Sequence, residues 1–282
     1  MCLEPESLVP ITSSGARQVV LIGDHKQLQP VIQDQVAKAL GLSVSMFERH
    51  SKRARMLQLQ YRMHKGICEF PSKEFYDDKL QTAKVVNSRP PTPVSFWPAL
   101  VRRNRDLPIV FCHVEGQEES SVITTSESNQ ESKRNMKEVR KVVQVAKYLV
   151  NRDSVRKSDV VILSPYREQR SKISELLRGA YDDIHVTTIT KSQGSEWDYV
   201  IMSLVRSLKK EEIDPEPSLS WLGEHLGFLR DEHQMNVGLT RARRGLCIIG
   251  NKNLLGMDEM WSKLIEHYEN NHCLVDESWP WT

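Results

Sequence analysis

Six short apolar runs punctuate the chain: Gln18–Ile22, Leu107–Val114, Asp159–Leu163, His185–Ile189, Tyr199–Val205 and Leu246–Gly250. They are rich in Val and Ile and largely unbroken, which predicts strands covered on both faces. Helical spacing fills the intervals. Val36, Leu40, Val44 and Phe47 predict helix over 33–56, and Phe70, Phe75 and Tyr76 lie in an amphipathic, aromatic stretch over 66–80. Met136, Val139, Val143, Ala146, Leu149 and Val150 predict a helix over 136–151; others are expected up to Leu177 and over 257–270. Alternation at Leu57, Leu59 and Tyr61 suggests a strand running into a loop that presents Gln60, Arg62 and His64. Strands alternating with helices argue for an α/β fold on a parallel sheet. Pro90, Pro91, Pro93 and Pro98 mark an extended connector, and a Ser-, Glu- and Gln-rich stretch over 115–135 reads as a mobile loop. Residues 207–225 form a charged, proline-containing insertion, and Trp279 and Trp281 mark the tail. There is no internal repeat.

Composition narrows the class. At 282 residues the chain can bury one or two cores, and 39% hydrophobic with 27% charged residues is ordinary for a globular protein. The net charge of +2 announces neither nucleic acid nor membrane, so any basic patch is local. Five cysteines with no C-x-x-C argue against a disulfide framework or a structural zinc. His64 and Cys68, four residues apart, lack further ligands, and no metal site is expected. No apolar run approaches the ~18 residues of a membrane span and no signal peptide leads the chain. An intracellular location, cytoplasmic or nuclear, is expected.

The candidate chemistry gathers in Asn236-Val237-Gly238-Leu239-Thr240-Arg241-Ala242-Arg243-Arg244-Gly245. On a helix, Arg241 and Arg244 would share a face. Guanidinium groups fork onto phosphate, so this is either a phosphate clamp or a solvated basic face. Asp24 and Gln27 follow the first apolar run, where α/β proteins bind ligands. They read as contacts to a phosphate or a metal-bound water, or as a polar turn.

Taken together these segments resemble the Upf-like branch of superfamily 1 helicases. Gly23-Asp24-His25-Lys26-Gln27-Leu28-Gln29-Pro30 resembles motif III, and Gln60-Tyr61-Arg62-Met63-His64 resembles motif IV. Ser164-Pro165-Tyr166 resembles the next nucleic-acid-side motif, Gln193-Gly194-Ser195-Glu196 with Asp198 motif V, and Asn236 to Arg244 motif VI. Ser192 to Trp197 and the insertion with Leu226-Gly227-Phe228 look closest to the "helicase with zinc finger" subfamily. Five motifs in family order make the resemblance specific.

The resemblance implies a RecA-like parallel sheet flanked by helices, the P-loop NTPase fold of a second motor domain. It implies ATP and Mg²⁺ as cofactors, and single-stranded RNA or DNA as partner, RNA first. Gln27 would sense the γ-phosphate, and Arg62 and Arg241 would act on it as arginine fingers, where fixed guanidinium groups stabilise spreading negative charge. Tyr61 would stack on adenine, Glu196 would bond the ribose, and Gly194 would let backbone approach the nucleotide. Asp24 and Arg244 complete the implied ATP set. Ser164, Pro165, Tyr166, Thr187, Thr188 and Lys191 would follow the single strand. For Tyr61 and Tyr166, ordinary core packing is the competing reading.

Departures accompany the match. Lys65 stands where the family has Pro, Thr190 and Ser192 stand where it has Asp and Phe, and Gly238 replaces Ala. No G-x-x-x-x-G-K-[ST] occurs, and the Walker B pair is missing: Asp276-Glu277 follows an apolar run but lies in the tail past motif VI, and Asp231-Glu232 has no strand before it. The expected division is therefore a remnant of a first RecA-like domain over 1–50, a second RecA-like domain over 51–256, and a C-terminal helix and tail over 257–282. Such a chain is expected to be inactive alone and to need the upstream RecA-like domain of its parent. The alternative is a non-catalytic interaction or coactivator module with protein partners. A nuclease finds little support, because no cluster of metal-binding carboxylates stands out.

Overall fold

The computed structural model describes residues 2–32, 34–89, 96–97, 107–124 and 129–280. Of the prolines assigned to a connector, all four lie outside these residues, as does Trp281. Two compact units divide the chain, Met1–Gln58 and Leu59–Thr282.

Among its described residues the first unit holds three α-helices, α1 (Glu4–Ser13), α2 (Gln35–Ala39) and α3 (Met46–Arg49), and a 3-10 turn at Ser51–Arg53. The helix expected over 33–56 is thus broken. Gly41 takes φ +91°, and Asp34 and Ser45 each cap a new start by accepting a backbone N–H, from Ala37 and Glu48. The run Gln18–Ile22, expected to be a central strand, forms none. A parallel strand takes its backbone bonds from neighbours, and the described residues of this unit contain no strand. Val20 and Ile22 are consequently 83% and 93% exposed.

The second unit runs β1 (Leu59–Gln60), α4 (Lys65–Phe75), β2 (Gln81–Thr82), α5 (Lys84–Asn87), β3 (Ile109–His113), β4 (Glu118–Thr124), β5 (Asn129–Asn135), α6 (Met136–Asn151), β6 (Val160–Ser164), α7 (Arg167–Leu177), β7 (His185–Thr188) and β8 (Trp197–Ser203). Then follow α8 (Leu219–Leu226), α9 (Glu232–Leu239), β9 (Ala242–Gly250), α10 (Lys252–Leu255), α11 (Glu259–Asn270) and β10 (Leu274–Val275). The main sheet has the order β10-β3-β9-β8-β6-β7, and every neighbouring pair is parallel. The unbroken apolar runs have their reason here. Val110, Cys112, Ile162, Ile201, Cys247 and Ile249 pack with Val139, Val142 and Leu149 of α6. The alternate residues Ile109 and Leu246 pack on the opposite face against Ile67 and Phe70 of α4 and Leu264 and Tyr268 of α11. The tail belongs to the same body: β10 pairs with β3, and Trp279 donates its indole N–H to Phe96 O at 3.0 Å.

Two sequence expectations change here. The stretch expected to be a mobile loop forms an antiparallel hairpin, β4 with β5. Its composition is polar because cross-strand ionic pairs, Arg134 with Glu119 at 2.7 Å and Lys133 with Glu118 at 3.4 Å, contribute where apolar pairs usually would. The strand expected at Leu246–Gly250 begins earlier, at Ala242, so Arg243 and Arg244 lie on β9 and not on a helix face. The substitution of Gly238 also finds its cause. A Cβ there would stand 2.6 Å from Met202 Cε, so the α9 backbone lies against a side chain of the sheet.

Candidate functional site

The loop from Gln60 to His64 is fixed from below by Gln60 itself. Its Oε1 accepts the backbone N–H groups of Arg62 and Met63 at 2.9 and 2.7 Å, while its Nε2 donates to Met63 O and Thr82 Oγ1. Gln60 therefore points inward and builds the loop. His64 caps α4 by accepting the Gly66 N–H at Nδ1, and its backbone N–H donates to Arg243 O at 2.9 Å. That bond ties this loop to the start of β9. Tyr61 is left 60% exposed.

The Arg62 guanidinium reaches the loop that leads into β8. Nε lies 2.6 Å from Glu196 Oε2, and Nη1 donates to Thr240 O at 3.0 Å. Arg243 approaches Glu196 and Asp198 at 3.7 and 3.5 Å, and Arg244 approaches Asp198 at 3.8 Å. Arg89 closes the group from below, donating to Arg62 O and Tyr61 O, both at 2.7 Å. Four guanidinium groups thus surround two carboxylates, an excess of positive charge. Partial burial pushes the Glu196 carboxyl up, but the bond to Arg62 and the charges of Arg62, Arg243 and Arg89 outweigh it and hold it below the usual range. Burial, and then Arg243, lowers the Arg89 guanidinium. Arg89 belongs to no motif, and nothing in its local sequence signals this role.

Arg241 stands apart from the other arginines. It is 1% exposed, and its guanidinium donates to Val237 O at 2.9 Å, Ser195 O at 3.3 Å and Thr240 Oγ1 at 2.8 Å. It thereby ties the end of α9 to the loop that carries Gly194. Gly194 takes φ +85°, and no atom lies within 4 Å of where its Cβ would stand. An open space beside a left-handed glycine allows close backbone approach by a ligand. Gly194→Ala should cost about 1–2 kcal/mol through backbone strain alone, with no clash. A urea midpoint equal to wild type would contradict this.

Glu196, Asp198, Arg241, Arg243 and Arg244 gather at the amino ends of β8 and β9. The residues expected to follow a single strand lie at the other end of the sheet. Ser164 closes β6 and is in register with Thr188, which closes β7. Ser164, Thr187 and Thr188 are buried, Pro165 is half-buried and Lys191 is exposed. The Thr188 hydroxyl pairs with that of Thr190 at 3.1 Å and accepts the Lys191 N–H. Tyr166 is only 5% exposed, packed beneath Phe228. In the first unit, Asp24 accepts from the Gln27 amide at 2.8 Å and from the Lys26 N–H at 3.0 Å, which folds this stretch into a polar turn. Among the described residues no cluster of His, Cys, Asp and Glu could hold a metal, and no helix is long and apolar enough to cross a membrane.

Two family models match the chain, both described as "AAA domain", one over residues 42–253 and the other over residues 1–35. Among curated proteins, the chain is 43% identical over 277 residues to "3'-5' exoribonuclease HELZ2" of Homo sapiens, covering 98% of this chain and 9% of that protein. It is 37% identical to "Regulator of nonsense transcripts 1 homolog" of Arabidopsis thaliana, covering 97% of the chain and 21% of the relative. It is 35% identical to "ATP-dependent helicase NAM7" of Saccharomyces cerevisiae, covering 97% and 27%. The chain therefore spans about a quarter or less of these relatives. The match over residues 42–253, the parallel sheet and the ordered motifs agree: the chain belongs to the AAA domain family, in the Upf-like branch of superfamily 1 helicases.

Proposed function

We propose that the chain supplies the C-terminal RecA-like motor domain of an ATP-dependent nucleic-acid helicase, with RNA as the first candidate substrate. The observation that carries this reading is the cluster at the amino ends of β8 and β9. Arg62, Arg89, Arg243 and Arg244 exceed the charge of Glu196 and Asp198, and Gly194 opens beside them. Such a cluster suits a polyphosphate. ATP and Mg²⁺ would be held mainly by a P-loop domain outside these residues, and the nucleotide would bring the anionic phosphates that this side of the cleft complements.

The chain's own residues have separable tasks. Arg62 is the leading finger, because its pairing with half-exposed Glu196 is readily exchanged for a phosphate oxygen. Arg241 reaches a phosphate only by giving up its carbonyl bonds, so its first task is to position the Gly194 loop. Tyr61 offers an exposed ring for the base, and its backbone is pinned by Arg89. Gln27 and Asp24, in the first unit, would keep the nucleotide-sensing role that the motif III resemblance implies. The exposed apolar run Gln18–Ile22 fits completion by strands of an upstream RecA-like domain. At the carboxyl ends of β6 and β7, Pro165, Lys191 and the backbone would meet a single strand.

The adenine contact is tested directly. In the chain joined to an upstream P-loop domain, Tyr61→Ala should weaken binding of a fluorescent ADP analogue roughly tenfold, the scale of one aromatic–base stack. Tyr61→Phe should bind like wild type. Equal affinity for Tyr61→Ala and wild type would remove Tyr61 from the site.

A further inference from the structure

The insertion between β8 and α9 ends in a short turn, Gly227–Arg230, that displays one aromatic ring. Phe228 is 59% exposed; it is the one exposed phenylalanine among the described residues. Leu226, two residues before it, and Leu229, next to it, are buried, so the turn is anchored and the ring is held outward. Gly227 sits at φ +54°, and a Cβ there would stand 3.1 Å from Arg206 Nη1 and 3.5 Å from the Tyr166 hydroxyl. The backbone is thus pressed onto an Arg206–Tyr166 pair. Buried Arg206 also donates to Glu224 O at 2.7 Å and to Glu118 at 2.9 Å, which pins the end of α8 to the β4–β5 hairpin. Phe228 then covers Tyr166, with ring centroids 6.1 Å apart and planes tilted by 55°.

This construction fixes an apolar ring in water at a particular place. Tyr166 follows the carboxyl end of β6, and the turn Thr190–Ser192 with exposed Lys191 follows the carboxyl end of β7. Both this turn and Gly227–Arg230 pack on α9. A cation and an exposed aromatic ring therefore flank one helix at the edge assigned above to a single strand. Single-strand binders combine these two elements, because every base has a π-face and every nucleotide a phosphate.

We propose that Phe228 is a nucleobase-stacking platform for single-stranded nucleic acid at this edge. Arg206 and Gly227 are its positioning residues, and Tyr166 supports the ring from beneath. The proposal rests on the single-strand reading of the carboxyl edge. Tyr166 itself, expected from sequence to meet the base, is replaced in that role by the ring that covers it.

Fluorescence anisotropy of a short labelled oligouridine with the 282-residue chain tests this. Phe228→Ala should weaken binding roughly tenfold, and Phe228→Leu should weaken it similarly, since bulk without a π-face is not enough. Phe228→Trp should retain affinity, and its emission should be quenched on binding. An abasic strand of the same length should bind wild type and Phe228→Ala alike. If wild type binds and Phe228→Ala or Phe228→Leu binds equally well, the stacking role is overturned while the single-strand reading stands. If wild type binds no strand, both fall together.

Discussion

Arg62→Ala, in the chain joined to an upstream P-loop domain, should lower the kcat for ATP by about 10³-fold. An arginine finger acts on charge that develops only in the transition state, so the loss should appear in kcat more than in nucleotide affinity. A thousandfold corresponds to about 4 kcal/mol of barrier. The fold should hardly notice. Arg62 loses a partly exposed pair with Glu196 and one bond to Thr240 O, together worth about 1 kcal/mol. Arg62→Lys restores the charge without the fork and should recover little. Arg241→Ala is a poorer probe of chemistry. Removing a buried guanidinium from two carbonyls and a hydroxyl leaves a cavity and lost acceptor bonds, so stability and turnover should fall together. Steady-state rates alongside thermal melts separate the two. An Arg62→Ala enzyme with wild-type kcat would end the finger assignment.

Glu138→Gln should make the protein more stable at pH 8 and leave it nearly unchanged at pH 4. Glu138 is fully buried in the first turn of α6. Its carboxyl accepts from the Ser203 hydroxyl at 2.7 Å and the Val205 N–H at 2.9 Å. Burial outweighs these bonds and pushes its pKa up to about 8. The sign follows from linkage. Between the ordinary carboxyl value and about 8, the unfolded chain has released the proton and the folded chain keeps it. Stability from this group is therefore full below about 4.5 and is lost as pH rises through about 8. The gap amounts to roughly 5 kcal/mol at about 1.4 kcal/mol per pKa unit. Glutamine keeps an acceptor for both donors and cannot ionise, so the difference between variant and wild type should grow across that window. Urea midpoints from pH 4 to 8 measure it, and parallel profiles would refute it.

The same group bears on the edge proposed to meet a single strand. Val205 carries φ +73°, a strained conformation for a β-branched residue. Glu138 holds its N–H, and Asn135 donates to its carbonyl at 3.2 Å. This kink sends the chain from β8 toward Arg206, which positions Phe228. The buried polar network thus links α6 to the exposed platform.

The sheet was legible because a strand buried on both faces must read as an unbroken apolar run, and five such runs became β3, β6, β7, β8 and β9. The sixth, Gln18–Ile22, reads the same way yet forms no strand. A run specifies the faces it needs, while its backbone bonds come from neighbouring strands, and the described residues of this unit contain none. The hairpin was hidden because its cross-strand pairs are ionic, and charge-rich sequence looks like loop. The motifs located the arginines but not their surroundings. Arg89 enters the cluster through backbone contacts formed only in three dimensions, and Arg241 is buried by carbonyls that no spacing rule predicts. The helix face imagined for Arg241 and Arg244 failed because α9 ends at Leu239 and β9 begins at Ala242. Phe228 was visible in the sequence only within Leu226-Gly227-Phe228, a stretch that carries the subfamily resemblance. Its exposure depends on the two buried leucines and the left-handed glycine that turn it outward.

ATP turnover by the chain alone, and by the chain joined to an upstream P-loop domain, tests the proposed function most directly. The account predicts no turnover alone and turnover in the joined protein that single-stranded RNA stimulates. Turnover by the isolated chain, or a joined protein that binds ATP yet hydrolyses none in the presence of RNA or DNA, would contradict it.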